Sequence, residues 1–172
     1  MRVLRKRITA TVLAMAFAAM PSIAPNALAQ EALVEFKVLS PETAMKAAQA
    51  ALDKCRSEGY QVSVVVVDRF GVAQVLIRDR FAGPHTPSTA RRKAWTAVSF
   101  RTDTVELNAL TEANEFSGVR HVDGALMIGG GVPIEAAGSI VGGIGISGAP
   151  SGKLDDDCAR AGIAAIEADI AF

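Results

Sequence analysis

The sequence predicts an α+β fold in which a five-stranded antiparallel sheet is packed with helices in a single domain. Residues 61–68 and 72–79 are two β-rich stretches separated by a short turn that ends at Gly71, which is typical of a β-hairpin. Apolar residues recur at helical spacing before and after this hairpin. Three more strand-like stretches then follow without an intervening helix: residues 125–128, 132–136 and Ser139–Ser147. This order favours antiparallel pairing over a parallel βαβ arrangement.

Residues 1–29 have the pattern of a signal peptide. Four basic side chains within residues 2–7 precede an uncharged apolar segment at residues 8–20, and Ala27 and Ala29 form a small-residue cleavage site. The apolar segment is shorter than the roughly 20 residues that a membrane-spanning helix needs. We therefore expect cleavage after Ala29, one domain over residues 30–172, and a periplasmic or secreted protein that does not insert into a membrane.

Charge and composition narrow the classes of partner. The predicted signal peptide holds four of the 18 basic residues and none of the 18 acidic ones, so its removal would leave a net charge of −4. This modest acidity argues against binding to nucleic acid or to an anionic membrane surface. Because 50% of the residues are hydrophobic and only 5% are aromatic, we expect a core of aliphatic side chains.

The first two helices have clear beginnings. Ser40 and Pro41 suit the N-cap and the first turn of a helix over Pro41–Ser57, whose alanines recur at three-and-four spacing. Thr86 is the expected N-cap of the second helix, which has Pro87 in its first turn, ends at about residue 100 and buries a face of alanines. The second helix also carries three larger side chains on or beside its other face: Arg91, Arg92 and Trp95.

The second half of the chain contains two more predicted helices. A short helix covers residues 102–111 and is followed by a polar loop over residues 112–123. The last helix begins at Ser151 and carries an apolar face. Three acidic residues in its first turn, residues 155–157, are interpreted as complementing the helix dipole.

Glycine is dense between residues 129 and 148, where it would weaken strands unless another group approaches closely. Residues 143–148 match G-x-G-x-x-G, but only one helix follows them, whereas a dinucleotide site needs a further βαβ unit. We therefore interpret the glycines as sites of close helix-on-sheet packing, with the last helix as the first candidate partner and a flat ligand as the second.

Cys55 and Cys158 are the two cysteines of the chain. Cys55 precedes the first strand and Cys158 follows the last one, so the cysteines converge if these strands are antiparallel neighbours. An exported protein would then hold a disulfide that closes a long loop. The alternative is two buried thiols.

His85 and His121 are the candidate metal or heme-iron ligands, since neutral imidazole binds both. Both histidines are predicted to lie in loops, where the alternative is a solvated side chain. The spacing of cysteine and histidine matches no closed structural metal site. No nucleophile motif is present either, so we expect a protein that is not an enzyme.

Five motifs, taken together and in order, resemble the GlcG/HbpS-like family over essentially the whole predicted mature chain. They are Val64-Val65-Val66-Val67-Asp68-x-x-Gly71, Lys93-Ala94-x-Thr96-Ala97, Gly130-Gly131-Val132-Pro133-Ile134, Gly142-x-Ile144-Gly145-Ile146-Ser147-Gly148 and Asp156-Asp157-Cys158-Ala159-x-Ala161-Gly162. The C-terminal domain of a PduO-type cobalamin adenosyltransferase is similar. The resemblance implies a profilin-like sandwich with five antiparallel strands, usually assembled as a homo-oligomer.

The resemblance also implies heme as a cofactor, because some members of the family bind it. The cofactor-binding candidates in this chain are His85, Arg91, Arg92, Trp95 and His121. We expect an exported, non-enzymatic protein that buffers or senses heme, with a membrane sensor protein as a possible partner. The alternative is an oligomeric small-molecule-binding or accessory module of a signalling or glycolate-utilisation system that does not use heme. An enzyme acting on a small hydroxy acid or a corrinoid-related compound is a third hypothesis, without a catalytic constellation to support it.

Overall fold

The computed structural model describes residues 33–114 and 117–171, so the predicted signal peptide lies outside the described residues. The chain divides into two units, residues 1–35 and 36–172. In the first unit, the described residues 33–35 form neither helix nor strand. Across the described parts of the chain, no helix is long and apolar enough to cross a membrane.

The second unit contains four strands and five helices among its described residues. In chain order these are α1 (Pro41–Ser57), β1 (Ser63–Asp68), β2 (Ala73–Arg78), α2 (Thr86–Phe100), α3 (Thr104–Glu112), β3 (Gly131–Ala136), β4 (Ser139–Ser147), α4 (Gly152–Ala164) and α5 (Glu167–Ile170). A short 3₁₀ turn, Gly118–His121, lies between α3 and β3. The predicted N-cap of α1 is confirmed, since the Ser40 hydroxyl accepts a hydrogen bond from the Thr43 amide.

The strands form one antiparallel sheet in the order β2-β1-β4-β3. The predicted α+β class with an antiparallel sheet is confirmed, but the prediction of five strands is wrong, because residues 125–128 are not a strand. Side chains of α2 satisfy the backbone of this segment instead. Arg92 donates to the carbonyls of Gly124 and Ala125, and the Leu126 amide donates to the Thr96 hydroxyl. The segment therefore bonds to a helix, where a strand would bond to another strand.

The sheet is covered on both faces. Val64 and Val66 of β1 point into a core formed with α1 and α4, whereas Val65 and Val67 point towards α2. This alternation follows from the two-residue period of a strand. It explains why the valine run of β1 is fully buried, as its unbroken apolar character predicts.

The last long helix, α4, packs beside the glycine-rich segment as expected, since a Cβ atom at Gly130 would lie 2.5 Å from the Asp155 Cβ. The expectation did not include α2, whose backbone also approaches these glycines. A Cβ atom at Gly145 would lie 2.1 Å from the Ala90 carbonyl oxygen, and one at Gly131 would lie 2.3 Å from the Lys93 carbonyl oxygen. Real Cβ atoms do not approach oxygen so closely. Because glycine lacks this atom, the backbone of α2 can lie directly on β3 and β4.

Cys55 and Cys158 are joined by a disulfide, as the pairing of the first and last strands predicts. Ser63 at the start of β1 is opposite Ser147 at the end of β4, which brings the end of α1 beside the start of α4. The two Cα atoms lie 5.5 Å apart and the bond spans 103 residues of sequence. A loop of this size corresponds to about 4–5 kcal/mol of stabilisation in the chain-entropy account.

Candidate functional site

A cavity of about 710 Å³ lies where α2, the end of β4 and the start of α4 meet. This volume is within the roughly 300–1,000 Å³ that small-molecule sites occupy. Helix α2 contributes Thr86, Thr89 and Lys93, which share one face because they are three and four residues apart. Ser147 of β4 and Asp155 of α4 line the opposite side. We refer to this space as the α2–α4 cavity.

His85 lies on the wall of the α2–α4 cavity, immediately before α2. Its backbone carbonyl accepts hydrogen bonds from the Thr89 amide and hydroxyl, which fixes the main chain at this point. The imidazole rests on Gly83, where a Cβ atom would lie 2.7 Å from the His85 Cε1 atom. His85 is exposed, so its ring is accessible to a ligand in the cavity.

A buried ion pair contributes to the wall of the cavity. Lys93 Nζ donates to Asp155 Oδ2 at 2.7 Å, and the two residues are 1% and 3% exposed. Asp155 Oδ1 accepts a second hydrogen bond, from the Ala149 amide at 3.0 Å. Burial raises the pKa of Asp155, while the neighbouring Lys93 charge opposes this shift. A Cβ atom at Gly130 would lie 2.5 Å from the Asp155 Cβ, so glycine is required beside the pair.

The interpretation of residues 155–157 as groups that complement the helix dipole therefore misses the main contact of Asp155, which is its ion pair with Lys93. The sequence does contain a signal for it, because Lys93 lies next to Ala94 and three residues from Ala90, both on the buried face of α2. A charged residue at a buried position needs a partner of opposite charge. Sequence reasoning could not identify which acidic residue that partner is.

Trp95 and Arg92 contact loops outside the α2–α4 cavity. The half-buried Trp95 ring contacts Gly71, where a Cβ atom would lie 2.6 Å from Trp95 Cδ1, and Gly124, where it would lie 3.7 Å from Cζ3. Arg92 donates to the carbonyls of Gly124 and Ala125. These two side chains therefore join the β1–β2 turn and the segment before β3 to α2.

Among the described residues, His85 is the one member of the five predicted heme-binding residues that lines the α2–α4 cavity. At about 100° per residue, the side chains of Arg91 and Trp95 leave α2 about 160° around the helix from Lys93. Arg91 is exposed on that side, and His121 is exposed in the 3₁₀ turn. Within residues 33–114 and 117–171, no cluster of three histidine, cysteine or acidic side chains could hold a metal ion.

Comparison with known proteins identifies the family to which the chain belongs. A family model described as "Haem degrading protein HbpS-like" matches residues 39–164. This match covers most of the chain, and the chain therefore belongs to the HbpS-like family.

Solved structures have the same fold. HbpS of Streptomyces reticuli, in a double-mutant form, is 42% identical with a TM-score of 0.73, covering 86% of this chain and 97% of that one. A PduOC–heme complex is 33% identical with a TM-score of 0.69, covering 75% of this chain and 95% of that one.

The corrinoid adenosyltransferase PduO of Salmonella typhimurium is 35% identical over 121 residues, which are 69% of this chain and 36% of that protein. PduO of Citrobacter freundii is 38% identical over 116 residues, which are 64% of this chain and 34% of that protein. The chain therefore spans about a third of the length of the PduO proteins that it matches.

The contact between Gly71 and Trp95 gives a direct test of how the β1–β2 turn is held. Gly71 and Gly59 have nearly the same backbone conformation, with φ of +81° and +84°, but a Cβ at Gly59 would meet no atom within 4 Å. Gly71→Ala and Gly59→Ala therefore introduce the same backbone strain, but only the new Cβ of Gly71→Ala collides with Trp95. We expect Gly71→Ala to lower the free energy of unfolding by about 1–3 kcal/mol more than Gly59→Ala does, as for an overpacked contact.

Urea unfolding of both variants measures this difference. The protein has a single tryptophan, so its fluorescence reports on the same contact. We expect a shifted emission maximum in Gly71→Ala and an unchanged one in Gly59→Ala. Equal stability losses with unchanged emission in both variants would show that Trp95 does not hold the turn.

Proposed function

We propose that the protein binds heme in the α2–α4 cavity, with the His85 imidazole as the iron ligand. The observation that carries this proposal is the exposed imidazole on the wall of a cavity large enough for a small-molecule ligand. Histidine is a common axial ligand of heme iron. The heme named in the PduOC complex supports the proposal, since PduOC is 33% identical to this chain and the match covers 75% of this chain.

The lining of the cavity fits a flat apolar ring with a polar edge. Phe81 and Ile128 border the cavity and are 79% and 47% exposed, so both offer apolar surface to a ligand. Binding would remove this surface from water, which is favourable. The polar side chains of the cavity, including Thr89 and Ser147, lie on α2 and β4. When bound, heme would supply redox-active iron, and the chain would supply the ligand, the apolar contacts and the polar contacts.

The biological role that we propose is heme buffering or sensing by an exported, non-enzymatic homo-oligomer, with a membrane sensor as partner. The name of the matching family, which includes haem degradation, supports a competing role in heme turnover. The two roles differ in one observable. A buffering protein would keep its heme absorption constant under air and a reductant, whereas a degrading protein would lose that absorption with time.

The two histidines provide a matched pair of variants for testing the iron ligand. Titration of the purified protein with hemin should give a Soret band that saturates at a fixed stoichiometry. We expect His85→Ala to shift this band and weaken hemin binding by tenfold or more, as expected for loss of an interaction worth about 1.4 kcal/mol or more. His121→Ala, which alters an exposed residue away from the cavity lining, should behave like the unmodified protein.

Absence of a saturable Soret band would overturn the heme proposal. An unchanged band in His85→Ala would overturn the assignment of the ligand.

A second candidate function is binding of a small polar molecule without heme. The Lys93–Asp155 pair favours this candidate, because charged groups fix the orientation of polar ligands in otherwise apolar sites. Such a protein would be the accessory small-molecule module considered above. It would bind hemin weakly and without a defined stoichiometry.

Export and the disulfide can be tested in one measurement on the protein recovered from its native host. We expect a mass that corresponds to residues 30–172 less two hydrogen atoms, because the signal peptide is removed and Cys55 is bonded to Cys158. The denatured, unreduced protein should contain no reactive thiol. A full-length mass would contradict export, and two reactive thiols would contradict the disulfide in the native compartment.

A further inference from the structure

Lys93 is an unusual residue for a helix packed against a sheet, because its ammonium group is buried. The residue is 1% exposed, yet it lies on the wall of the α2–α4 cavity. An ammonium group has three N–H donors. One of them binds Asp155 at 2.7 Å. Within residues 33–114 and 117–171, the structure offers Lys93 Nζ no second hydrogen-bond acceptor.

Ionised Asp155 accepts hydrogen bonds and has none to donate to a ligand. One of its carboxylate oxygens accepts from Lys93 and the other from the Ala149 amide. The hydrogen-bond donors that the pair offers to a ligand are therefore the N–H groups of the lysine. A buried donor without a partner is costly, so an acceptor in the cavity would be bound favourably.

The surroundings of the pair favour an acceptor with negative charge. The first residue of α4, Gly152, borders the cavity, and this end of a 13-residue helix carries a partial positive charge. Ser151 caps the helix by accepting from the Leu154 amide, so its side chain engages one of the amides of the first turn. The partial positive charge at the helix end adds to the positive charge of Lys93, and the negative charge of Asp155 offsets part of that sum.

We propose that Lys93 Nζ binds the carboxylate of a ligand that occupies the α2–α4 cavity. A carboxylate fits because it accepts several hydrogen bonds and pairs with a buried cation. Two sources present this group, a propionate of heme and a free small carboxylic acid. The first source rests on the heme function proposed above, and the second does not.

The variant that tests the proposed carboxylate subsite at Lys93 must keep the buried contact between residues 93 and 155 while removing the charge of the lysine. Replacement of Lys93 alone would leave Asp155 buried without its counter-charge, which is strongly destabilising. The double variant Lys93→Gln/Asp155→Asn is neutral and can retain one hydrogen bond between the two side chains. Its circular dichroism and urea unfolding, compared with the unmodified protein, establish that it is folded before binding is measured.

The first arm of the test uses acetate as the probe and acetamide as its uncharged isostere. In ¹H–¹⁵N spectra of the complete protein, we expect acetate to cause saturable shifts of the amides of Ser147 and Gly152, which border the cavity. Acetamide should cause no comparable shifts. The double variant should bind acetate at least tenfold more weakly, the effect of losing one charge-assisted hydrogen bond.

The second arm compares hemin with hemin dimethyl ester, in which both propionates are uncharged. We expect the unmodified protein to bind hemin at least tenfold more tightly than the ester. In the double variant the two should bind equally, because the group that distinguishes them is gone.

The outcomes separate the two sources and the two proposals. Acetate binding that depends on Lys93 supports the subsite even if hemin does not bind, and the heme function alone then fails. A Lys93-dependent preference for hemin over its ester supports a propionate as the occupant. The subsite is overturned if neither probe shows a dependence on Lys93, since the ammonium is then satisfied by water.

Discussion

The close approach of α2 to the sheet is the constraint on which the rest of the structure depends. The helix backbone lies on β3 and β4 at Gly131 and Gly145, where any side chain would collide with main-chain oxygen atoms. This approach buries Val65 and Val67 of β1 against the alanines of α2. It also carries Lys93 inward, so that its ammonium meets Asp155 at the end of the sheet. The packing of one helix thus produces both a core and the charged wall of the cavity.

The same helix separates the two sets of polar side chains that it carries. Lys93 and Thr89 line the α2–α4 cavity, whereas Trp95 leaves the helix about 160° around its axis from Lys93 and contacts loop glycines. Arg92 leaves the helix about 100° from Lys93 and bonds to the segment before β3. The cavity therefore joins a buried cation to a solvent-accessible imidazole, His85, within a few turns of helix. The function that we propose depends on this combination, with the imidazole as the proposed iron ligand and the ammonium as the proposed carboxylate-binding group.

Much of the fold could be predicted from local patterns. Neighbours in sequence determine the capping of α1 by Ser40 and the alternation of the valines of β1 between the two faces of the sheet. The hairpin turn determines the antiparallel pairing of β1 with β2. The predicted strand at residues 125–128 failed because its backbone is bonded by Arg92 and Thr96, some thirty residues earlier. Hydrogen bonds from side chains so distant in sequence leave no pattern in the segment itself, so the sequence alone does not reveal them.

The site was predictable only in part for the same reason. His85 stood out as a rare residue type in a loop, but the helical wheel alone did not show which face of α2 borders a cavity. The partner of Lys93 comes from α4, 62 residues later in the chain. Glycine density between residues 129 and 148 indicated a close contact, and the expected approach of the last helix is present at Gly130, but the approach of α2 depended on how the strands are ordered in the sheet.

The free energy of unfolding of Gly145→Ala tests the central constraint most directly. A Cβ at Gly145 would lie 2.1 Å from the Ala90 oxygen, whereas one at Gly138, in the β3–β4 turn with φ of +73°, would meet no atom within 4 Å. We expect Gly145→Ala to lose about 4 kcal/mol or more, or to show no cooperative transition in urea. Gly138→Ala should lose only about 1 kcal/mol from backbone strain. Equal, small losses in both variants would contradict the account.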